Sequence, residues 1–321
     1  MKDFISLMLL FLKKIRQLLN NIGGAKLLTT FTCIIFIGFS IYTNYSKLLE
    51  QRIDGLTILF LLLGLLISWL SLVINAFAWK SIIGWLGHNN SNIDLISLFL
   101  SSNLLKYIPG GIWHFVERIR SLSKFMALDK AFLSVLIEPF FMITAAFTFV
   151  AFGDFHIGFR LLCFTPYLLF IRRFREPLLI QINRIKETFL KKTSSEKMSK
   201  YNFNLSSNTL SPEYPALPLA IEILFIALRF CGFFICLKAF SLENSFDIFH
   251  WCAIFSLAWA VGLIIPSAPG GVGVFEAFIL LITGSSVSET LLLSSLLCYR
   301  LIVSAADLLA AIVLPRRIYY E

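Results

Sequence analysis

Apolar runs separated by short polar stretches organise the chain. Six are long enough, or nearly so, to cross a bilayer: 27–46, 56–79, 131–153, 157–171, 219–240 and 290–314. About 20 apolar residues in a helix span the ~30 Å hydrocarbon layer. The fourth run is short, and Pro166 interrupts it. Two further runs, 93–108 and 249–265, each lead into a Pro-Gly-Gly triplet. The pattern predicts an all-α integral membrane fold. It has six full spans plus two re-entrant Pro-Gly-Gly hairpins, or eight spans if the second hairpin crosses fully.

Composition agrees with the pattern. Apolar residues make up 58% of the 321 and charged residues 15%, with a mean hydropathy of +0.81. An average soluble domain is roughly 25% charged. These values exclude a disordered chain, a disulfide-stapled secreted domain and an ordinary water-soluble enzyme. The net charge of +9 does not point to nucleic acid, because the basic residues lie between apolar segments and not on one soluble face. The six cysteines sit in apolar runs without a Cys-x-x-Cys pair, so neither a disulfide framework nor a zinc site is expected. His114 and Glu117 form His-x-x-Glu, too few ligands for a metal. No cofactor motif or catalytic signature occurs.

Charge then predicts orientation. Residues 1–26 hold five Lys/Arg and one acid around a short apolar stretch, which reads as an amphipathic segment on the cytoplasmic face. The 172–217 loop holds nine Lys/Arg and four acids, so it is expected in the cytoplasm, against anionic lipid head groups. Arg316 and Arg317 place the C-terminal end on the same side.

The triplets Pro109-Gly110-Gly111 and Pro269-Gly270-Gly271 have matching flanks. Each continues into an aliphatic residue, a Phe and a Glu (Glu117, Glu276). Aligning them pairs 56–153 with 219–315 as repeats A and B, joined by the run 157–171 and the loop 172–217. Six Lys/Arg lie in 80–130 and none in 241–289, so one hairpin is expected to enter from the cytoplasm and the other from outside. That is the pattern of an inverted-topology repeat.

Proline lacks an N–H and glycine reaches dihedrals closed to other residues, so each triplet ends a helix and frees backbone groups. Pro266 and Gly273 extend the second break. Irregular backbone at membrane depth is tolerated only inside protein or beside a watery cavity. The restarting helix directs its positive end at the break, where a phosphate fits. Ionisable groups inside apolar segments are functional candidates. Glu138 and Arg300 occupy similar repeat positions and are expected to pair across the repeat axis. Asp307 shares a face with Arg300, seven residues along. Glu222 and Arg229, also seven apart, are expected to pair. Glu117 and Glu276 are placed to gate a cavity or hold a proton.

The segment G-L-I-I-P-S-A-P-G-G-V-G-V-F-E resembles the signature of the transmembrane, flippase-like domain of lysylphosphatidylglycerol synthases. K-Y-I-P-G-G-I-W and Y-R-L-I-V (Tyr299, Arg300) fall at similar positions, and the likeness spans roughly 25–315. It implies translocation or handling of a phospholipid or polyprenyl-linked lipid between leaflets of a bacterial or archaeal cell membrane, without enzymatic chemistry. Head-group phosphate would sit at the broken helices, with Arg300 as countercharge. The longest polar segment is about 45 residues, too short for an aminoacyl-transfer domain. The alternatives are a polyprenyl-diphosphate phosphatase and an accessory subunit of a lipid or glycosyl-transfer pathway. Gly-Ile-Trp and Gly-Val-Gly follow Pro-Gly where a phosphatase is expected to carry serine and arginine. A homo-oligomer and a glycosyltransferase partner are both compatible with the sequence.

Overall fold

A computed structural model describes residues 54–88, 94–108, 112–174, 213–264 and 273–313. These residues are helical, with no strand among them. The amphipathic segment 1–26, the run 27–46, most of the basic loop and both Pro-Gly-Gly triplets lie outside the described residues.

Repeat A opens with α1, Gly55–Trp85. Asp54 caps it, its carboxylate accepting from the Thr57 amide at 2.8 Å and the Thr57 hydroxyl at 2.6 Å. Asp94 starts α2, Leu95–Asn103, in the same way through Ser97. A 3-10 turn, Leu104–Tyr107, carries the chain towards Pro109. Beyond the triplet come α3, Trp113–Leu122, and α4, Leu128–Val150. Repeat B follows the same order. It has α7, Ala216–Ala239, then α8, Ile248–Ile264, then α9, Val274–Thr283, and α10, Glu289–Val313.

Four helices are long and apolar enough to cross a membrane among the described residues: α1, most of α4 (Lys130–Val150), α7 and α10. Each coincides with an expected span. The run 157–171 does not form one crossing helix. It forms α5, Ile157–Leu162, and α6, Thr165–Leu168, with Pro166 at the start of α6. Proline is favoured at a helix start and cannot continue the preceding ladder, so the run divides there. At 1.5 Å per residue α8 is roughly 26 Å long and α9 roughly 15 Å, and neither spans ~30 Å.

Small residues bring α1 and α7 together. A Cβ on Gly232 would sit 2.8 Å from Ser68 Oγ, and one on Gly64 would sit 3.6 Å from the Gly232 carbonyl. Without a solvophobic force between helices in lipid, such close backbone approach supplies packing energy. The opposite face of α1 exposes Leu56, Leu59, Leu62, Leu66 and Leu70. In water that face would be an aggregation hazard; in lipid it is ordinary surface.

Two apolar clusters hold the halves. In repeat B the rings of Phe233 (α7), Phe255 (α8), Phe275 (α9) and Tyr299 (α10) meet at centroid distances of 5.1 to 6.2 Å. In repeat A, Trp79 of α1 packs on Phe99 of α2 at 5.7 Å, and Leu122 and Val135 join the same core. Ala310 of α10 reaches that core, so the last helix touches both halves.

Candidate functional site

Several charged groups of the interior sit on the helices that follow the breaks and on the long helices beside them. Phe275 and Tyr299 are buried in the aromatic cluster of repeat B. The next residue on each helix, Glu276 and Arg300, is thereby turned towards the other. Arg300 donates its Nε–H to Glu276 Oε1. The other carboxylate oxygen, Oε2, accepts from the Gly273 amide at 2.9 Å and closes the first turn of α9. Gly273 has φ +97°, open to glycine at no steric cost. One carboxylate therefore fixes the restart of the helix after the second break and holds the Arg300 guanidinium beside it. Their side chains are 15% and 13% exposed.

Repeat A carries a pair of reversed polarity. Arg118 of α3 donates Nη1–H to Glu138 Oε2 at 2.7 Å and Nε–H to Ser102 Oγ at 3.1 Å. The guanidinium carbon stands 3.8 Å from the Phe99 ring centroid and 5.2 Å from that of Trp79. Both charged side chains are sealed, at 2% and 3% exposure. Desolvated charges are tolerated when paired and further hydrogen-bonded, and the aromatic faces add cation–π attraction.

The expected Glu138–Arg300 pair across the repeat axis is therefore replaced by two pairs, each within one half. The helix just past the break supplies the nearer partner, so each long helix binds its own neighbour. Asp307 shares the α10 helix with Arg300 but turns to repeat A. It is fully buried and takes Lys106 Nζ at 2.6 Å, Asn103 Nδ2 at 2.9 Å and the Tyr107 hydroxyl at 2.6 Å. The turn leading to Pro109 is thus tied to the last helix of repeat B.

Glu222 and Arg229 do not pair either. Both Glu222 oxygens and Arg229 Nη1 are buried without a hydrogen-bond partner. Seven residues along a helix return to nearly the same face but advance about 10 Å, beyond what these two side chains close here. Glu222 instead lies within electrostatic range of Glu138. Glu117 is half-buried on the outer side of α3, 3.9 Å from Arg120 and 3.5 Å from the Ser121 hydroxyl. Pro109, Gly110, Gly111, Pro266, Pro269, Gly270 and Gly271 lie outside the described residues.

Sequence reasoning missed Arg118, Lys106, Asn103 and Tyr107. Arg118 had a signal: Phe115, Arg118 and Leu122 recur at helical spacing, so Arg118 lies on the apolar stripe of α3 while Glu117, one residue back, does not.

Apolar helices of crossing length with paired charges enclosed between them define a multi-pass α-helical membrane protein. The family is fixed as well. The family model for the lysylphosphatidylglycerol synthase TM region matches residues 24–311, and the chain belongs to that family, one of membrane proteins related to lipid handling. No curated protein sequence matches the chain.

Proposed function

We propose that this protein moves an anionic lipid head group between the two leaflets, at a site formed where the broken helices of its two halves approach. The observation that carries the reading is the Glu276–Arg300 pair, anchored to Gly273 at the restart of α9. A phosphate competes well for a guanidinium already held by one carboxylate, because bidentate Arg–phosphate contacts are strong. The positive end of α9 lies at the same place.

The two halves act as inverted repeats in this proposal. Arg118 lies nine residues after Pro109 and Glu276 seven after Pro269. Their partners Glu138 and Arg300 lie 29 and 31 residues after the same prolines. Positions within two residues of equivalence carry opposite charges, which fits two related halves with separate roles. The α2 and α8 arms are too short to cross fully and serve as the entering arms of re-entrant hairpins. Repeat A is latched by the sealed Arg118–Glu138 pair, and repeat B presents the exchangeable one. Both termini lie in the cytoplasm of a bacterial or archaeal cell, and no covalent step occurs.

Reconstitution tests the reading. Vesicles containing the protein and a fluorescent head-labelled phosphatidylglycerol should equilibrate the label between leaflets, with no phosphate released. Phosphate release from a polyprenyl diphosphate in the same vesicles would favour an enzyme instead.

A further inference from the structure

Glu222 stands on α7, fully buried, and among the described residues neither of its carboxyl oxygens has a hydrogen-bond partner. An ionised carboxylate shut away from water without a partner is so costly that such a group takes up a proton instead.

Packing fixes its surroundings. Gly232 meets Ser68 and Gly64 of α1, while Leu219 shares a cluster with Ile82 of α1 and Phe141 of α4. Phe225 and Ile226 pack with Met142 and Ala145 of α4. Glu222 falls between these two levels. At about 100° per residue it lies between the line of Gly232, which faces α1, and that of Ile226, which faces α4. Glu138 lies one turn before Met142 on the same face of α4. Trp79 lies one turn before Ile82, and its ring centroid is 5.2 Å from the guanidinium that binds Glu138. Glu222, Glu138, Arg118 and Trp79 therefore form one layer, and Glu222 feels the charge of Glu138.

Two carboxyl groups thus share a layer that holds one guanidinium, and Glu138 claims it. Asn75, seven residues after Ser68 and so on the same line facing α7, adds a further buried oxygen, Oδ1, without a partner. The layer lacks a donor, and one proton on Glu222 supplies it. A metal ion fits less well. Calcium takes about 6–8 oxygen ligands, and among the described residues no group of three His, Cys, Asp or Glu could hold an ion. The other titratable groups beside α7 lie elsewhere. Cys252 of α8 and Cys298 and Tyr299 of α10 belong to the aromatic cluster of repeat B. Arg300 is turned to Glu276, and Tyr167 is bonded to Thr148. α1 offers only Lys80, which is exposed. On α7 itself Arg229 is about 10 Å further along.

We infer that Glu222 is a proton-binding residue whose proton is carried through the transport cycle. Bound, the proton leaves the Arg118–Glu138 latch undisturbed. Released to water, it leaves a second negative charge beside Glu138, and like-charge repulsion strains the latch of repeat A. A proton gradient thereby sets the direction of lipid movement. The inference rests on the lipid-translocation reading and adds its energy source.

Infrared spectroscopy of the full chain in phosphatidylglycerol vesicles reads the proton apart from transport. At neutral pH the wild type should show the carbonyl stretch of a protonated carboxyl, shifted in heavy water, and Glu222→Gln should lose that band. Absence of the band in the wild type would overturn the inference whether or not the variant folds, as would a band that Glu222→Gln retains. A band erased by sodium but not by choline at constant pH would assign the site to a metal cation and overturn the proton. Coupling is read from head-labelled phosphatidylglycerol in the same vesicles under a gradient of one pH unit. One proton per lipid should bias the label between leaflets by up to about tenfold, and Glu222→Gln should leave it even. An even distribution in wild-type vesicles that do move lipid would overturn the coupling. A Glu222-dependent band in a protein that moves no lipid would sink the transport reading and keep the proton site.

Discussion

The guanidinium of Arg118 meets the carboxylate of Glu138 across 2.7 Å in a pocket where neither side chain reaches solvent. The pair joins the helix after the first break to the next long helix, as Glu276 and Arg300 do in the other half with the signs exchanged. The first pair is closed off by Phe99, Trp79 and Ser102. The second borders the second break, and this difference separates a structural clasp from a working one.

Removing one partner of the sealed pair should be far worse than removing both. Glu138→Leu leaves a buried guanidinium with Ser102 alone and is expected to cost about 3–5 kcal/mol. Arg118→Met with Glu138→Leu, which replaces both charges by apolar volume, should recover most of that loss. Thermal unfolding in detergent, followed by tryptophan fluorescence, compares the three proteins. A double variant as unstable as the single one would contradict the clasp.

Asp307 fixes the approach to the first break. Asp307→Ala removes the acceptor for Lys106, Asn103 and Tyr107 at once. Hydrogen exchange across 104–108 should quicken at least about tenfold, following the loss of more than about 1.4 kcal/mol of local protection. Lys106→Met should change it less, because Lys106 is 23% exposed and the two neutral donors remain. Unchanged exchange in Asp307→Ala would mean that the turn is held by something else.

The contact of α1 with α7 makes a steric prediction. Gly232→Ala places a methyl 2.8 Å from Ser68 Oγ, so that either the hydroxyl or the two helices must shift, at an expected cost of about 1–3 kcal/mol. Ser68→Gly in the same chain removes the obstacle and should restore most of the loss. The check is the melting temperature of the single and double variants, and failure of the second change to rescue the first would place the strain elsewhere.

Acid should loosen the start of α1. Hydrogen bonds from the Thr57 hydroxyl and amide hold the Asp54 carboxyl below its usual range. A depressed folded value means that this contribution is complete above the unfolded pKa of about 3.9 and fades as pH falls through the folded one. The Thr57 amide, read by NMR in micelles, should keep its protection at pH 6 and lose it only as the pH falls through the lowered folded value of Asp54. Asp54→Asn, which keeps a cap without the charge, should show no such transition.

Much of the architecture could be read from the chain. The runs 56–79, 131–153, 219–240 and 290–314 each became one helix because nothing inside them stops a helix of that length, Pro139 in α4 included. The run 157–171 failed to form one because Pro166 falls where the ladder would have to continue. The site was legible by residue type and not by partner. Glu276 and Arg300 stood out as charges beside a glycine break, but repeat symmetry paired Arg300 with Glu138. Partner choice depends on helix rotation. One residue is 100° on a helix, enough to send Glu117 outward and Arg118 into the core. Asn103, Lys106 and Tyr107 reach Asp307 across some 200 positions of sequence, and no local pattern carries that information.

The most direct test of lipid movement is the fraction of a head-labelled phosphatidylglycerol that a membrane-impermeant reductant can quench in sealed vesicles. Protein-free vesicles should protect the inner leaflet, about half of the label. Wild-type protein should expose nearly all of it, and Arg300→Ala should return the trace close to that of empty vesicles. Quenching by wild-type protein that stops at the protein-free level would contradict the account.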